Sequence, residues 1–190
     1  MSIAALLLFV RALGLTLPLW IVAGWSAAEA AIFFLVADIP ISWIAVRSGT
    51  RAALLAAVVA ALASVVGVLL LWWWSVNDQL LPTAVMTLLP GIDGSTLAIA
   101  GDTYSEGYLA VLAASFEGIP FKLFALESGP NLTFLLLAPL LRLPRFALVA
   151  LFSGTVSSFL SRWMGVKSRL ALLAILWVVF YACYWSAMTG

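Results

Sequence analysis

The stretch IPISWIAVRSG, residues 39–49, returns 80 residues later as IPFKLFALESG, residues 119–129, with Ile, Pro, Ala, Ser and Gly at the same five of eleven places. In each copy a proline interrupts an apolar run, and a Ser-Gly pair closes the phrase. The run leading to Pro40 is only about ten residues, a rise of roughly 15 Å, which is half the ~30 Å hydrocarbon core of a bilayer. Two half-length arms around a proline describe a re-entrant hairpin that dips in and returns. Pro40 and Pro120 are the expected breaks, with Gly49 and Gly129 at the hairpin exits.

Composition agrees with a membrane setting. Of 190 residues, 65% are apolar and 9% are charged, too few charges to hydrate a soluble surface. Residues 52–76 and 170–190 are uncharged runs of spanning length. The net charge of +1 offers no basic stripe for phosphate backbones, so a nucleic-acid partner is excluded. With no His and a single cysteine, Cys183, neither an internal disulfide nor a tightly held zinc or haem is expected, and no cofactor is. No Ser-His-Asp set exists without His and no P-loop occurs, so the chain is not expected to be an enzyme.

Outward from the two phrases, a single membrane domain over residues 1–190 is expected. Residues 3–24 form a first helix, retained rather than cleaved, with Arg11 snorkelling and Pro18 kinking it. SAAE, residues 26–29, reads as a capping box that opens repeat 1, residues 26–74, and this accounts for Glu29. Residues 52–74 are a clean crossing with an alanine stripe that lets helices approach, ended by Trp72-Trp73-Trp74 at the interface. Residues 75–103 read as an external loop broken by Pro and Gly, whose only charges are Asp78, Asp93 and Asp102. TYSE, residues 103–106, reads as a second capping box opening repeat 2, residues 104–161. Residues 131–161 would measure about 46 Å as one helix, so Pro139 or Pro144 is expected to bend or break it. Residues 170–187 form the last helix. No cation occurs between Ala52 and Phe121, while Arg47 and Arg51, and Arg162, Lys167 and Arg169, flank spans. The positive-inside rule then places both basic clusters in the cytoplasm. The two hairpins enter from opposite sides. The repeated phrase thus marks an inverted duplication, a plan recurrent among secondary transporters with a site near the midplane. The expected fold class is all-α: two re-entrant hairpins, each followed by a transmembrane helix, with one extra helix at each end.

Residues 37–67, ADIPISWIAVRSGTRAALLAAVVAALASVVG, resemble the first half of the DedA/VTT (SNARE-associated) superfamily, nearest its YqaA-like branch. SFEGIPFKLFALESG, residues 115–129, resembles that branch's second signature, and LRLPRF, residues 141–146, its Gly-Arg-x-x-Arg-Phe element. The resemblance covers residues 26–163. It implies opposed re-entrant hairpins and a role moving lipids, as a translocase for polyprenyl-phosphate carriers or a phospholipid scramblase, in some members driven by protons. It also implies a place in the bacterial cytoplasmic (inner) membrane. By motif position the hairpin acid is Asp38, the signature lysine Lys122 and the paired arginines Arg142 and Arg145. Leu141 stands where the family has Gly, and Glu117-Gly118 where it has a small residue and Pro.

Ionisable groups inside a membrane cost several kcal/mol unless paired or wetted, so each needs a reason. Asp38 and Glu117 at the hairpin tips, with Arg142 and Arg145 one turn apart, would form a buried cluster. Guanidinium forks suit a phosphate, and the carboxylates suit proton uptake or charge pairing. Lys122 either joins this site or snorkels out. Arg47 and Glu127 read as interfacial anchors, as do the nine Trp; the NLT sequon at Asn131 reads as fortuitous. The expected partners are membrane lipids through a phosphate headgroup, with a homo-oligomer or larger membrane complex left open. The function expected is a DedA-like flippase for a phosphate-bearing lipid. The alternative is an accessory subunit of a larger membrane complex.

Overall fold

The described residues form nine helices and no strand. The computed structural model describes residues 14–78, 80–129 and 131–189. Arg11 and the opening of the 3–24 segment lie outside them. In chain order the helices are α1 (Thr16–Ala31), α2 (Asp38–Ser48), α3 (Thr50–Asn77), α4 (Leu80–Met86), α5 (Gly94–Ser105), α6 (Tyr108–Glu117), α7 (Phe121–Glu127), α8 (Leu132–Leu160) and α9 (Val166–Thr189). Three stretches, Thr50–Asn77, Thr133–Leu160 and Val166–Ala187, are long and apolar enough to cross a membrane. The chain is an all-helical integral membrane protein.

Several local expectations are corrected. α1 runs unbroken through SAAE, so no helix starts there. The Ser26 hydroxyl instead donates to the Ala60 carbonyl of α3 at 2.8 Å. Pro18 lies in the first turn of α1, where its missing N–H has no intrahelical acceptor to lose, so it kinks nothing. The first break falls at 32–37, and Pro40 sits in the first turn of α2, tolerated for the same reason. TYSE straddles the end of α5, and α6 begins after Gly107, whose φ of 103° suits glycine alone. The 75–103 segment is not a loop, since α4 and most of α5 lie in it. α8 is a single assigned helix of 29 residues with Pro139 and Pro144 inside it. The two prolines withdraw the donors that the Leu135 and Leu140 carbonyls would otherwise receive, without ending the helix.

Helix α3 is the hub. Ala53, Ala57 and Ala61 are buried with Ala56 and Ala60 beside them, which lets α1, α2 and α8 approach closely. A second core joins the far end of α3 to α6, α7 and α8 through Phe121, Phe124 and Phe134, the first and last stacked at 5.6 Å. α9 rests on α2, and its outer face is exposed along Ile175, Val178 and Val179, as lipid contact requires.

α5 starts because Asp93 caps it. Its carboxylate accepts from the Ser95 hydroxyl (2.7 Å), the Thr96 amide (2.8 Å) and the Thr96 hydroxyl (2.8 Å). These donors, the Ser95 hydroxyl first, hold the carboxyl down to about 2 from its usual 3.8. A depressed folded-state pKa gives a contribution present above the unfolded value and lost as pH falls through the folded one. The Thr96 amide is therefore expected to resist hydrogen exchange above pH ~4 and to lose that protection toward pH 2. Asp93→Ala should remove it at every pH. Protection unchanged in the variant would mean the cap does not hold the helix start.

Candidate functional site

Irregular backbone between apolar helices leaves amides and carbonyls that hydrocarbon cannot satisfy. Long side chains take that role at both breaks. At 32–37, Lys122 Nζ donates to the Phe33 carbonyl (2.6 Å) and Trp25 Nε1 to the Leu35 carbonyl (3.0 Å), while the Val36 amide donates to the Tyr181 hydroxyl oxygen (2.9 Å). Around α7, Trp72 Nε1 donates to the Gly129 carbonyl beyond its C-terminus, and Arg145 Nη1 reaches the Ser115 carbonyl in the last turn of α6 (3.4 Å). Lys122 is thus buried and does not snorkel. Trp25 and Trp72 serve the breaks as well as any interface.

The ionisable groups meet beside these breaks. Asp38 opens α2, and its Oδ2 accepts from Arg145 Nη2 of α8 at 2.6 Å. Arg142, one turn earlier on α8, pairs with Glu29 of α1. Glu29 and Arg142 are 6% and 4% exposed, and the guanidinium lies between the rings of Phe121 (5.3 Å) and Phe146 (4.9 Å). Arg145 is more open, its side chain 27% exposed. Glu29, Asp38, Lys122, Arg142 and Arg145 together carry a formal charge of +1. Among the described residues Asp38 Oδ1 and Arg142 Nη1 are buried without a hydrogen-bond partner, one an acceptor and one a donor.

Not every expected residue joins the cluster. Glu117 ends α6 exposed, at the left-handed Gly118 where the chain turns, and it is Glu29 that pairs with an arginine instead. Pro120 is the N-cap of α7, and Gly49 (φ 87°) and Gly129 (φ 52°) stand at the two exits, in backbone that favours glycine. Glu127 is exposed near Gly101, and Arg47 is exposed over the Trp43 ring at 5.1 Å, as anchors would be.

Two cavities flank Arg145. A cleft of about 150 Å³ is bordered by Glu29, Lys122, Arg145, Pro120, Tyr181 and Tyr184, wide enough for several waters. A groove of about 470 Å³ runs between α2, α8 and α9, bordered by Asp38, Ser42 and Arg145 at its polar end and by Leu148, Phe152 and Leu176 beyond. Val36, Arg145 and Phe180 border both. The arrangement pairs a small cationic chamber with a long apolar trough, joined at one guanidinium. No group of His, Cys, Asp and Glu able to hold a metal occurs among the described residues. Compared with family models, curated proteins and solved structures, the chain matches none.

Proposed function

We propose that this protein moves a phosphate-bearing lipid, a polyprenyl phosphate or a phospholipid, between leaflets, with the headgroup at Arg145 and Lys122 and the tail in the apolar groove. The observation that carries the reading is Arg145 itself. It is the one charged residue that borders both the cleft and the apolar trough, it is partly open, and its partner Asp38 keeps one oxygen unpaired among the described residues. Asp38 releases Arg145 to a phosphate when it takes up a proton, which is how proton coupling would enter. Arg145 lies at the middle of Thr133–Leu160, so the headgroup would cross near the midplane.

The reading includes an inverted repeat in a DedA-like fold. Support comes from the matched order of short helix, glycine of positive φ and long helix, α2–Gly49–α3 and α7–Gly129–α8. In addition α2 packs on α8 while α7 packs on α3, the exchange of partners a two-fold axis produces. Opposed entry of the hairpins, the resemblance of residues 37–67 and 115–146, and residence in a bacterial inner membrane belong to this proposal.

The test is leaflet translocation of a fluorescent polyprenyl phosphate in proteoliposomes. The native chain should move it, and Arg145→Gln should slow movement at least tenfold; because that variant leaves Asp38 without its partner, Asp38→Asn/Arg145→Gln, which removes both charges, should recover the unfolding midpoint and stay equally slow. A second reading, an accessory subunit of a larger complex, is favoured by the buried Arg142–Glu29 pair, in which each charge already has a protein partner. Absence of movement for polyprenyl phosphate and phospholipid probes alike would establish that reading and sink the first.

A further inference from the structure

The apolar groove does not end at Leu176. It adjoins a cavity of about 100 Å³ through Phe152, Ser153, Leu173 and Leu176, and that cavity shares Val46, Ser157 and Arg169 with a vestibule of about 510 Å³. Three neighbouring cavities therefore mark a seam between α9 and the α2/α8 pair, from Arg145 to the end of the molecule where α2 stops and α9 begins.

That vestibule is built for an anion. Arg47 and Arg169 border it with Ser48, Ser157, Ser158 and Ser161. Arg169 Nη1 donates to the Ser157 hydroxyl (2.6 Å) and carbonyl (2.9 Å), which fixes the guanidinium, and its Nε is buried with no partner among the described residues. Gly49 also borders it, and the N-terminus of α3 that follows Gly49 has no side-chain cap. No acid answers these charges, since residues 39–77 and 128–190 contain no Asp or Glu while holding Arg47, Arg51, Arg162, Lys167 and Arg169.

Depth fits the same picture. Twelve residues of α8 separate Arg145 from Ser157 and twelve of α9 separate Tyr181 from Arg169, a rise of about 18 Å in each case. Half of a ~30 Å hydrocarbon core is about 15 Å, so with Arg145 at the midplane the vestibule stands at headgroup level.

We infer that the Arg47–Arg169 vestibule is a second phosphate-headgroup site, the membrane-surface station where a lipid phosphate enters or leaves the seam while its tail lies along Phe152, Leu173 and Leu176. The choice of lipid as ligand rests on the function proposed above; the anion site rests on its own residues. Two arginines with serine hydroxyls recognise a phosphate's oxygens, and the apolar seam behind them selects an amphiphile over a free ion.

Isothermal titration calorimetry of the full chain in dodecyl maltoside, with dodecyl phosphate as the probe, tests this. Two sites per chain are expected. Arg47→Gln/Arg169→Gln should remove one of them and Arg145→Gln the other. Because Arg169 also ties α9 to Ser157, Arg47→Glu on the exposed arginine is the second variant, expected to weaken the vestibule site at least tenfold with unchanged thermal unfolding. Inorganic phosphate should bind the vestibule at least tenfold more weakly than dodecyl phosphate; equal binding would overturn the lipid assignment. No dodecyl phosphate binding by the native chain, or binding that both vestibule variants leave intact, would overturn the site. Loss in those variants with Arg145→Gln unaffected would keep the vestibule and overturn the central headgroup reading instead.

Discussion

Arg142→Leu is expected to destabilise the protein by about 3–5 kcal/mol, because it leaves the buried Glu29 carboxylate without its ion-pair partner. Glu29 is 6% exposed, and Arg142 is its ion-pair partner. The leucine also removes the guanidinium held between Phe121 and Phe146. Glu29→Gln/Arg142→Met removes both charges and keeps most of the volume, so it should recover the larger part of the loss, as buried pairs replaced by neutral groups commonly do. The measurement is the unfolding midpoint in mixed dodecyl maltoside and dodecyl sulfate micelles, run as a double-mutant cycle. A cost below about 1 kcal/mol for Arg142→Leu would show that water or another group reaches Glu29. The double variant should still translocate lipid if Arg145 alone faces the substrate. The two arginines of LRLPRF would then have separate duties, one holding α1 to α8 and the other binding the headgroup.

The contrast between these arginines was not legible in the sequence, where they look equivalent. Both lie one turn apart on one helix, and their difference comes from what α1 and α2 bring to them, 113 and 107 residues away. Glu29 was misread for a related reason. SAAE satisfies the local pattern of a cap, but its serine and glutamate are spent on α3 and α8 instead. Local patterns decide caps only when no tertiary partner competes. For Lys122 the sequence does not separate binding from snorkelling, because the Phe33 carbonyl that holds it belongs to an irregular segment with no pattern of its own. What was legible depended on length and on glycine. Spanning helices over 52–74 and 170–187, a broken chain at Pro120 and special backbone at Gly49 and Gly129 follow from hydrocarbon thickness and from φ angles only glycine favours. Burial in one small bundle brings Asp38 to the arginines of α8, but which of the two it meets depends on where α2 packs, and the sequence carries no sign of that choice.

Gly67→Leu is expected to cost about 3 kcal/mol, and Gly67→Ala about half as much. Gly67 lies where α3 crosses α1, and a Cβ there would fall on the Ala27 carbonyl oxygen, with the Ala30 Cβ 2.9 Å away. A backbone oxygen cannot rotate aside as a side chain does, so relief requires α1 to move as a body. Small residues at such a crossing are what allow the two helices to approach. Gly24 on α1 is the control, since a Cβ there meets nothing within 4 Å. Gly24→Ala should be neutral or slightly stabilising through helix propensity. The displacement has a further consequence, because α1 carries both Ser26, bonded to Ala60, and Glu29, paired with Arg142. Moving α1 away from α3 strains both contacts at once. The cost of Gly67→Ala should therefore shrink when it is measured in the Glu29→Gln/Arg142→Met background, where the pair no longer needs its geometry. Equal cost in both backgrounds would mean that α3 bends to absorb the methyl and the ion pair is set by α8 alone. A reduced cost would make the α1–α3 crossing the element that fixes Glu29 on Arg142 and leaves Arg145 free to face the cavities.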